Sequence, residues 1–207
     1  MKIINVVQGH HAWHDLHCNR LTSSRFKTVL HGGPRAWKTL MRNMRPTNNQ
    51  GNHKAKTAAA LDWGLEHEPL ARMEYELSTG RRVKQVGFIL ADDDRFGVSP
   101  DGLVKPDGMI EVKCPYSAKV HEATWRRRQM PAEHQPQVQG IMWVGQLDWC
   151  DFVSFDPRRL GDGRLVVIRV PRDDAYIRRL SDRCDQFFEL YHSMRDPTKS
   201  RPIPKLF

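Results

Sequence analysis

The chain has 207 residues, with 33 Lys and Arg against 24 Asp and Glu, a formal net charge of +9. Six Trp, eight Phe and 39 % hydrophobic residues exclude intrinsic disorder, and no window approaches the roughly 20 apolar residues of a membrane span. The length suits one domain over residues 1–207, and the positive balance favours a polyanionic partner: nucleic acid first, an acidic membrane surface second.

In chain order, the apolar stretch inside MKIINVVQ ends too soon for a signal-peptide core, so a cytoplasmic protein is expected. Cys18, Cys114, Cys150 and Cys184 lie far apart without a CxxC pair, which reads as reduced and mostly core. Thr22 or Ser23 suits an N-cap. Phe26, Val29 and Leu30 follow at helical spacing, and Gly32-Gly33-Pro34 stops the helix. Residues 42–57 are polar, basic and rich in turn formers, and read as a mobile loop. Leu61 to Thr79 reads as a helix ended by Gly80, with Pro69 kinking or restarting it. Strands are expected at Val83–Leu90, Arg95–Val98 and Met109–Cys114. Pro106-Asp107-Gly108 makes the hairpin turn between the second and third. A helix over 131–145 follows, then strands over Leu147–Phe155 and Arg164–Val170 joined by a turn at 156–163. The last helix starts near Asp173-Asp174, with an apolar stripe of Ile177, Leu180, Cys184, Phe187, Phe188 and Tyr191. The RPIPKLF tail reads as extended. The pattern predicts one α/β domain, a central mixed β-sheet flanked by α-helices.

The chemistry concentrates in Gly97-Val98-Ser99-Pro100-Asp101-Gly102 and Ile110-Glu111-Val112-Lys113-Cys114-Pro115. Side chains alternate along a strand, so Ile110 and Val112 point to the core while Glu111 and Lys113 share the other face. Alone, that pair is an ordinary neutral surface pair. Asp101 changes the reading, because the turn brings it back toward Glu111. Two carboxylates and a lysine then converge at a sheet end. Hard oxygen ligands of this kind suit Mg²⁺ or Mn²⁺, and the Val112 carbonyl can add a ligand. Such an ion generates hydroxide near neutral pH and clamps phosphate, while the lysine stabilises charge developing there or orients the attacking water.

The PDG…EVK run resembles the PD-(D/E)xK nuclease motif. The fuller GVSPDGLV…GMIEVKCPYS resembles the phage lambda exonuclease and YqaJ-type viral recombinase family. WGLEHEPLA with Tyr75-Glu76, the Gln137-Val138-Gln139 segment with Met142-Trp143, and Ala12-Trp13-His14-x-Leu16 with Leu21-Thr22-x-Ser24 resemble further motifs of that family, in its order and spacing. The resemblance runs from about residue 10 to 190 and implies a restriction-endonuclease-like fold. It implies that Asp101 and Glu111 are the main metal ligands, that Glu68 helps hold metal, and that Lys113 is the catalytic lysine. Gln137 matches the glutamine contacting the reacting strand, with Gln139 as fallback. Ser24 and Ser99 match a pocket for the 5′-terminal phosphate. Thr22 and Ser23, near a helix N-terminus, fit that pocket physically. Where the family commonly carries that pocket's arginine, this chain has His17. Arg20 is the nearest arginine and takes the larger share, since it stays charged and grips phosphate through two N–H groups.

The implied activity is a Mg²⁺-dependent 5′→3′ exonuclease acting on linear double-stranded DNA, leaving 3′ tails for phage-type recombination. Mn²⁺ would substitute, with one or two ions per site. The resemblance also implies a ring-shaped homotrimer, a phage single-strand annealing protein as partner, and a phage or prophage gene expressed in a bacterial cytoplasm. Two alternatives are an endonuclease built on the same core and a non-catalytic DNA-binding module. The intact Asp101, Glu111 and Lys113 disfavour the second.

Other features read more plainly. His11, His14 and His17, with His10 and Cys18 nearby, suggest zinc, but no cysteine pair completes a site. Asp92-Asp93-Asp94 reads as a turn. The clusters Arg126–Arg128, Arg158-Arg159 and Arg178-Arg179 read as solvated surfaces, one or two of which would track a DNA backbone. The six tryptophans read as mostly core.

Overall fold

A computed structural model describes residues 1–44 and 55–195. In chain order the elements are β1 (Lys2–Ile4), α1 (His11–Asp15), β2 (Leu21–Thr22), α2 (Phe26–His31), α3 (Pro34–Asn43), α4 (Ala55–Thr79), β3 (Val83–Lys84), β4 (Phe88–Leu90), β5 (Phe96–Val98), β6 (Gly102–Val104), β7 (Gly108–Lys113), α5 (Ala118–Arg127), α6 (Gln135–Gly145), β8 (Trp149–Phe155), β9 (Leu165–Pro171) and α7 (Asp174–Arg195). Short 3₁₀ turns precede α2, α6 and β9.

The mixed α/β character is as expected, but the strands form two sheets. One has the order β1-β4-β5-β2, the other β3-β6-β7-β8-β9. The expected strand Val83–Leu90 divides between them. The break falls at Gln85–Gly87, where a Cβ on Gly87 would lie 2.0 Å from the Val6 carbonyl oxygen. Only a glycine lets the two backbones approach so closely. The hairpin around Pro106-Asp107-Gly108 joins β6 to β7, with Gly102 opposite Ile110, so the partner strand is β6 and not Arg95–Val98. The first helix ends at His31 before Gly32, as expected, and Pro34 is the first residue of α3, where its missing N–H would have had no helical partner anyway. Of the expected loop at 42–57, residues 42–43 end α3 and 55–57 belong to α4, while 45–54 lie outside the described residues, as does the RPIPKLF tail. α4 runs through Pro69. Leu65 and Pro69 lie on its exposed face, where water can serve the carbonyl that proline leaves unpaired.

β7 is the strand that matters for function. It pairs antiparallel with β6 and parallel with β8, and the parallel connection passes through α5 and α6. Both faces of its sheet are covered. On one, Ala71 and Tyr75 of α4 pack over Val104, Ile110, Val112, Val153 and Phe155. On the other, Met109, Cys150 and Phe152 join Ile141 of α6, Phe26 of α2 and the α7 stripe. All six residues of that predicted stripe are buried. Among the tryptophans only Trp37 is fully buried; Trp13, Trp63, Trp125, Trp143 and Trp149 are half-exposed. Among the cysteines Cys150 and Cys184 are buried, while Cys18 and Cys114 are half-exposed. No described helix is long and apolar enough to cross a membrane.

Two polar brackets fix the helices on this sheet. The Tyr75 hydroxyl donates to Asp151 Oδ2 at 2.7 Å, and Arg169, the cross-strand neighbour of Asp151, donates to Oδ1 at 2.5 Å. Asp151 is 1 % exposed, so these bonds answer a buried charge. Gln139 is fully buried and ties α6 to the β9–α7 corner, donating to the Pro171 carbonyl and accepting from the Asp173 N–H. Tyr75→Phe should lose about 1–3 kcal/mol of unfolding free energy, because Asp151 keeps its burial and loses a donor. Urea denaturation would read this; an unchanged midpoint would mean that Arg169 alone satisfies the carboxylate.

Candidate active site

Asp101 occupies the turn from β5 into β6, and its Oδ2 accepts from the Val112 N–H at 2.6 Å. This bond locks the aspartate beside the end of β7. Glu111 sits next to it on β7 and is only 1 % exposed. The alternation along β7 is as expected, but Glu111 does not face solvent, because α6 covers that face. Glu111 Oε1 accepts a short hydrogen bond from Lys113 Nζ and another from Gln137 Nε2 at 2.5 Å. Glu111 Oε2 is buried and has no hydrogen-bond partner among the described residues. Gln137 thus reaches the carboxylates from α6, whereas Gln139 is spent at a distant corner. Glu68 comes from α4, where Arg72, one turn on, donates to its Oε1 at 2.5 Å.

The electrostatics are those of a crowded acidic pocket. Burial pushes Glu111 up to about 7, with Asp101 and Glu68 adding to the rise and Lys113 opposing it. Burial also raises Glu68 and Asp101. For Lys113 burial works against the charge, but Glu111 and Asp101 outweigh it and hold the ammonium well above its usual range. Burial first, then Lys113, push His134 down to about 4, so this ring at the start of α6 supplies no second cation near pH 7. Cys114 is pushed up to about 12, mainly by burial, and stays a thiol.

The donor set fits a hard divalent cation. Among the described residues no three His, Cys, Asp or Glu side chains already enclose a point where an ion would sit. Mg²⁺ does not require that, since it is held through one or two carboxylates and keeps several waters. Asp101 and Glu111 are two such carboxylates. The orphaned Oε2 of Glu111 is the lone pair such an ion would take, and an unserved buried carboxylate oxygen is otherwise costly. The chain beyond Lys113 is held firmly. Arg158 donates to Asp156 and to the carbonyls of Pro115 and Tyr116, with its guanidinium 4.7 Å from the Trp63 ring centroid.

The residues matched to a 5′-phosphate pocket gather at α1, β2 and the start of α2, and their engagement differs from the expectation. The Ser99 hydroxyl donates to the Gly87 carbonyl and accepts from Trp13 Nε1, each at 2.9 Å, so it braces α1 against the first sheet. His17 packs on Trp13 with ring centroids 3.9 Å apart, and its Nδ1 donates to the Trp13 carbonyl at 2.7 Å. Burial lowers its pKa, so the ring is neutral at pH 7 and its other nitrogen carries a lone pair, which repels phosphate. Arg20 spends Nε on the Asp94 carbonyl and Nη1 on the Leu16 carbonyl. Ser24 is exposed. Two residues passed over in the sequence emerge here and at the carboxylates. Arg25 is half-buried, has no carboxylate within ion-pair distance among the described residues, and donates Nη1 to the His17 and Arg20 carbonyls. Arg72 stands on Glu68. Of the basic clusters, Arg126 pairs with Glu122 and Arg158 with Asp156, while Arg127, Arg128, Arg178 and Arg179 are exposed.

A pH prediction follows from Glu111. Its folded-state pKa of about 7 lies above the ordinary 4.5, so the fold favours the protonated acid. That stabilisation is complete below about pH 4.5 and is lost as pH rises through 7. In metal-free buffer, Glu111→Gln should therefore gain on the native chain by roughly 3 kcal/mol between pH 4.5 and 8. Parallel denaturation curves across that range would show it, and a difference independent of pH would contradict it.

The alkaline exonuclease LHK-Exo from Laribacter hongkongensis superposes with a TM-score of 0.79 at 29 % identity, over 92 % of this chain and 96 % of that one. The same enzyme in complex with dAMP gives a TM-score of 0.77. A phage-related exonuclease from Haemophilus somnus 129PT shares the fold, with a TM-score of 0.64 at 17 % identity over 89 % of this chain and 99 % of that one. No curated protein sequence matches the chain. Residues 12–148, which include Glu68, Asp101, Glu111, Lys113 and Gln137, match the YqaJ-like viral recombinase domain, and the chain belongs to that family.

Proposed function

We propose that this chain, acting as one domain over residues 1–207, is a metal-dependent exonuclease that degrades one strand of linear double-stranded DNA from its 5′ end. The 3′ single-stranded tail would serve phage-type recombination through a single-strand annealing protein. The observation that carries the reading is Glu111: a buried carboxylate with one oxygen held by Lys113 and Gln137 and the other unserved, in a member of the YqaJ-like family. The fold shared with an alkaline exonuclease that has been crystallised with dAMP supports a nucleotide as product.

Asp101, Glu111 and the Val112 carbonyl would hold the ion, with Glu68 at its edge. A bound Mg²⁺ or Mn²⁺ would supply an activated water near neutral pH and a clamp on the phosphate. Lys113 is already charged and fixed, so it can meet negative charge growing on the scissile phosphate with little reorganisation. Gln137 keeps Glu111 Oε1 occupied and leaves Oε2 for the ion. At the other end of the substrate, Ser24, Arg20 and Arg25 are the donors for a terminal phosphate, and Ser99 acts by bracing Trp13. His17 contributes its carbonyl to Arg25 rather than a charge of its own. Assembly into a ring-shaped trimer in the cytoplasm of a phage host would enclose the duplex. The net charge of +9 would draw DNA in, an attraction that weakens as salt rises.

The test uses purified protein, Mg²⁺, and linear and relaxed circular duplexes of one sequence. The linear form should release mononucleotides and leave single-stranded DNA, and the circle should stay intact. Glu111→Ala and Lys113→Ala should each cut the rate by about 100-fold or more while DNA binding persists. Nicking of the circle would redirect the assignment to an endonuclease, and no acid-soluble nucleotide from either substrate would sink it.

A further inference from the structure

Beyond Lys113 the chain runs through Cys114-Pro115-Tyr116-Ser117, the link from β7 to α5. Of the four tyrosines, Tyr75 and Tyr191 are buried and Tyr176 is half-buried, whereas Tyr116 is 57 % exposed. A single aromatic ring on a surface needs no explanation by itself. Tyr116 differs because the fold builds a support around it.

Arg158 donates Nη1 to the Tyr116 carbonyl at 3.1 Å and Nη2 to the Pro115 carbonyl at 3.3 Å, which pins the backbone at both residues. Arg158 is itself fixed as a fork on Asp156, at 2.7 Å from Nε and 2.9 Å from Nη2, and Asp156 is fully buried. The Tyr116 ring meets Trp63 of α4 in an edge contact, with centroids 5.9 Å apart and planes at 86°. Trp63 is stacked on His67 at 4.0 Å, and the Arg158 guanidinium lies 4.7 Å from its ring centroid. His67 Nδ1 is tied to the Trp63 carbonyl at 2.8 Å. Trp63 and Arg158 thus form a ledge that fixes Tyr116, and an edge contact leaves at least one face of its ring uncovered by Trp63.

The ledge stands beside the carboxylates. Tyr116 is three residues beyond Lys113, at most about 10 Å along the chain. Trp63 is five residues before Glu68 on α4. Cys114, between Lys113 and Tyr116, feels the charges of both Glu68 and Asp101. A nucleotide whose phosphate meets Lys113 therefore has its base within reach of the Tyr116 ring. A base drawn out of a duplex loses its stacking neighbours, and an aromatic side chain replaces them whatever the sequence.

We propose that Tyr116, held by Trp63 and Arg158, is a stacking platform for the terminal base of the strand being cleaved. This rests on the exonuclease reading above and adds a contact for the base, separate from the groups that meet the phosphate.

The test is binding of the full-length chain, in EDTA so that no metal-dependent cleavage follows, to a linear duplex with the fluorescent base 2-aminopurine at one 5′ terminus. Stacking keeps this base dim. At saturation it should stay dim on the native chain and be about twofold or more brighter on Tyr116→Ala, while Tyr116→Phe and Tyr116→Trp, which keep a ring, should match the native chain. With Mg²⁺ and unlabelled duplex, Tyr116→Ala should raise KM about fivefold or more, the scale on which one lost base stack weakens binding, and Tyr116→Phe should not. A duplex with an abasic 5′-terminal nucleotide should bring the native KM up to that of Tyr116→Ala. Equal brightness on the native and Tyr116→Ala chains would overturn the inference. So would a Tyr116→Phe chain as impaired as Tyr116→Ala, or a Tyr116-dependent signal only from a probe on the complementary 3′ end. Should Tyr116→Ala fail to fold, the abasic duplex decides: an unchanged native KM overturns the inference. A native chain that cleaves no linear duplex with Mg²⁺ or Mn²⁺ would overturn the exonuclease reading as well, whereas cleavage with a signal insensitive to Tyr116 overturns this inference only.

Discussion

The molecule is organised around a buried carboxylate. Glu111 lies in the middle layer, under α6, in a strand paired on both sides. An ionised carboxylate there is strongly disfavoured unless it is paired and hydrogen-bonded. Lys113 and Gln137 answer one of its oxygens, and no group among the described residues answers the other. Burial lifts the proton affinity of Glu111, and the nearby Asp101 and Glu68 add to the rise. A divalent cation is the group that would relieve it, and the phosphate chemistry of the site follows from that relief.

The surrounding fold can be understood as the means of holding Glu111 in this position. The β6–β7 hairpin sets Asp101 beside it, and the Val112 N–H fixes the aspartate. On α4, Tyr75 reaches Asp151 on β8 and helps set the height of Glu68, two turns earlier. α6 is tied at its far side by Gln139, which leaves Gln137 aimed at the carboxylate. Arg158 and Asp156 clamp the segment after Lys113. The bonds of Tyr75, Gln139 and Arg158 with Asp156 are buried or half-buried and lie far from the carboxylates in sequence. Small shifts in any of them would be felt at the site.

The sequence made parts of this legible and hid others for definite reasons. Asp101, Glu111, Lys113 and Gln137 were readable because residue type, spacing and order coincide, and the α7 stripe because its period is unmistakable. The burial of Glu111 was not, since strand alternation reports which face a residue takes and not what covers that face. β1 and β2 are three and two residues long and exist only through pairing with β4 and β5. Periodicity has nothing to register there. Arg72 was passed over, although its spacing from Glu68 was a usable signal. Ser99 and Arg20 matched a phosphate pocket by position, yet their hydrogen bonds go to Trp13, Gly87, Asp94 and Leu16, partners that only the folded chain brings near.

The central claim is that the unserved oxygen of Glu111 is a place for a divalent cation. Thermal unfolding of the native chain and of Glu111→Gln, each with and without saturating Mg²⁺ and without DNA, addresses it directly. Binding at about 100 times Kd stabilises by about 2.7 kcal/mol, which for a chain of this size is a rise of roughly 5–10 °C. The account predicts that rise in the native chain and its loss in Glu111→Gln. An equal rise in both, or none in the native chain, would contradict it.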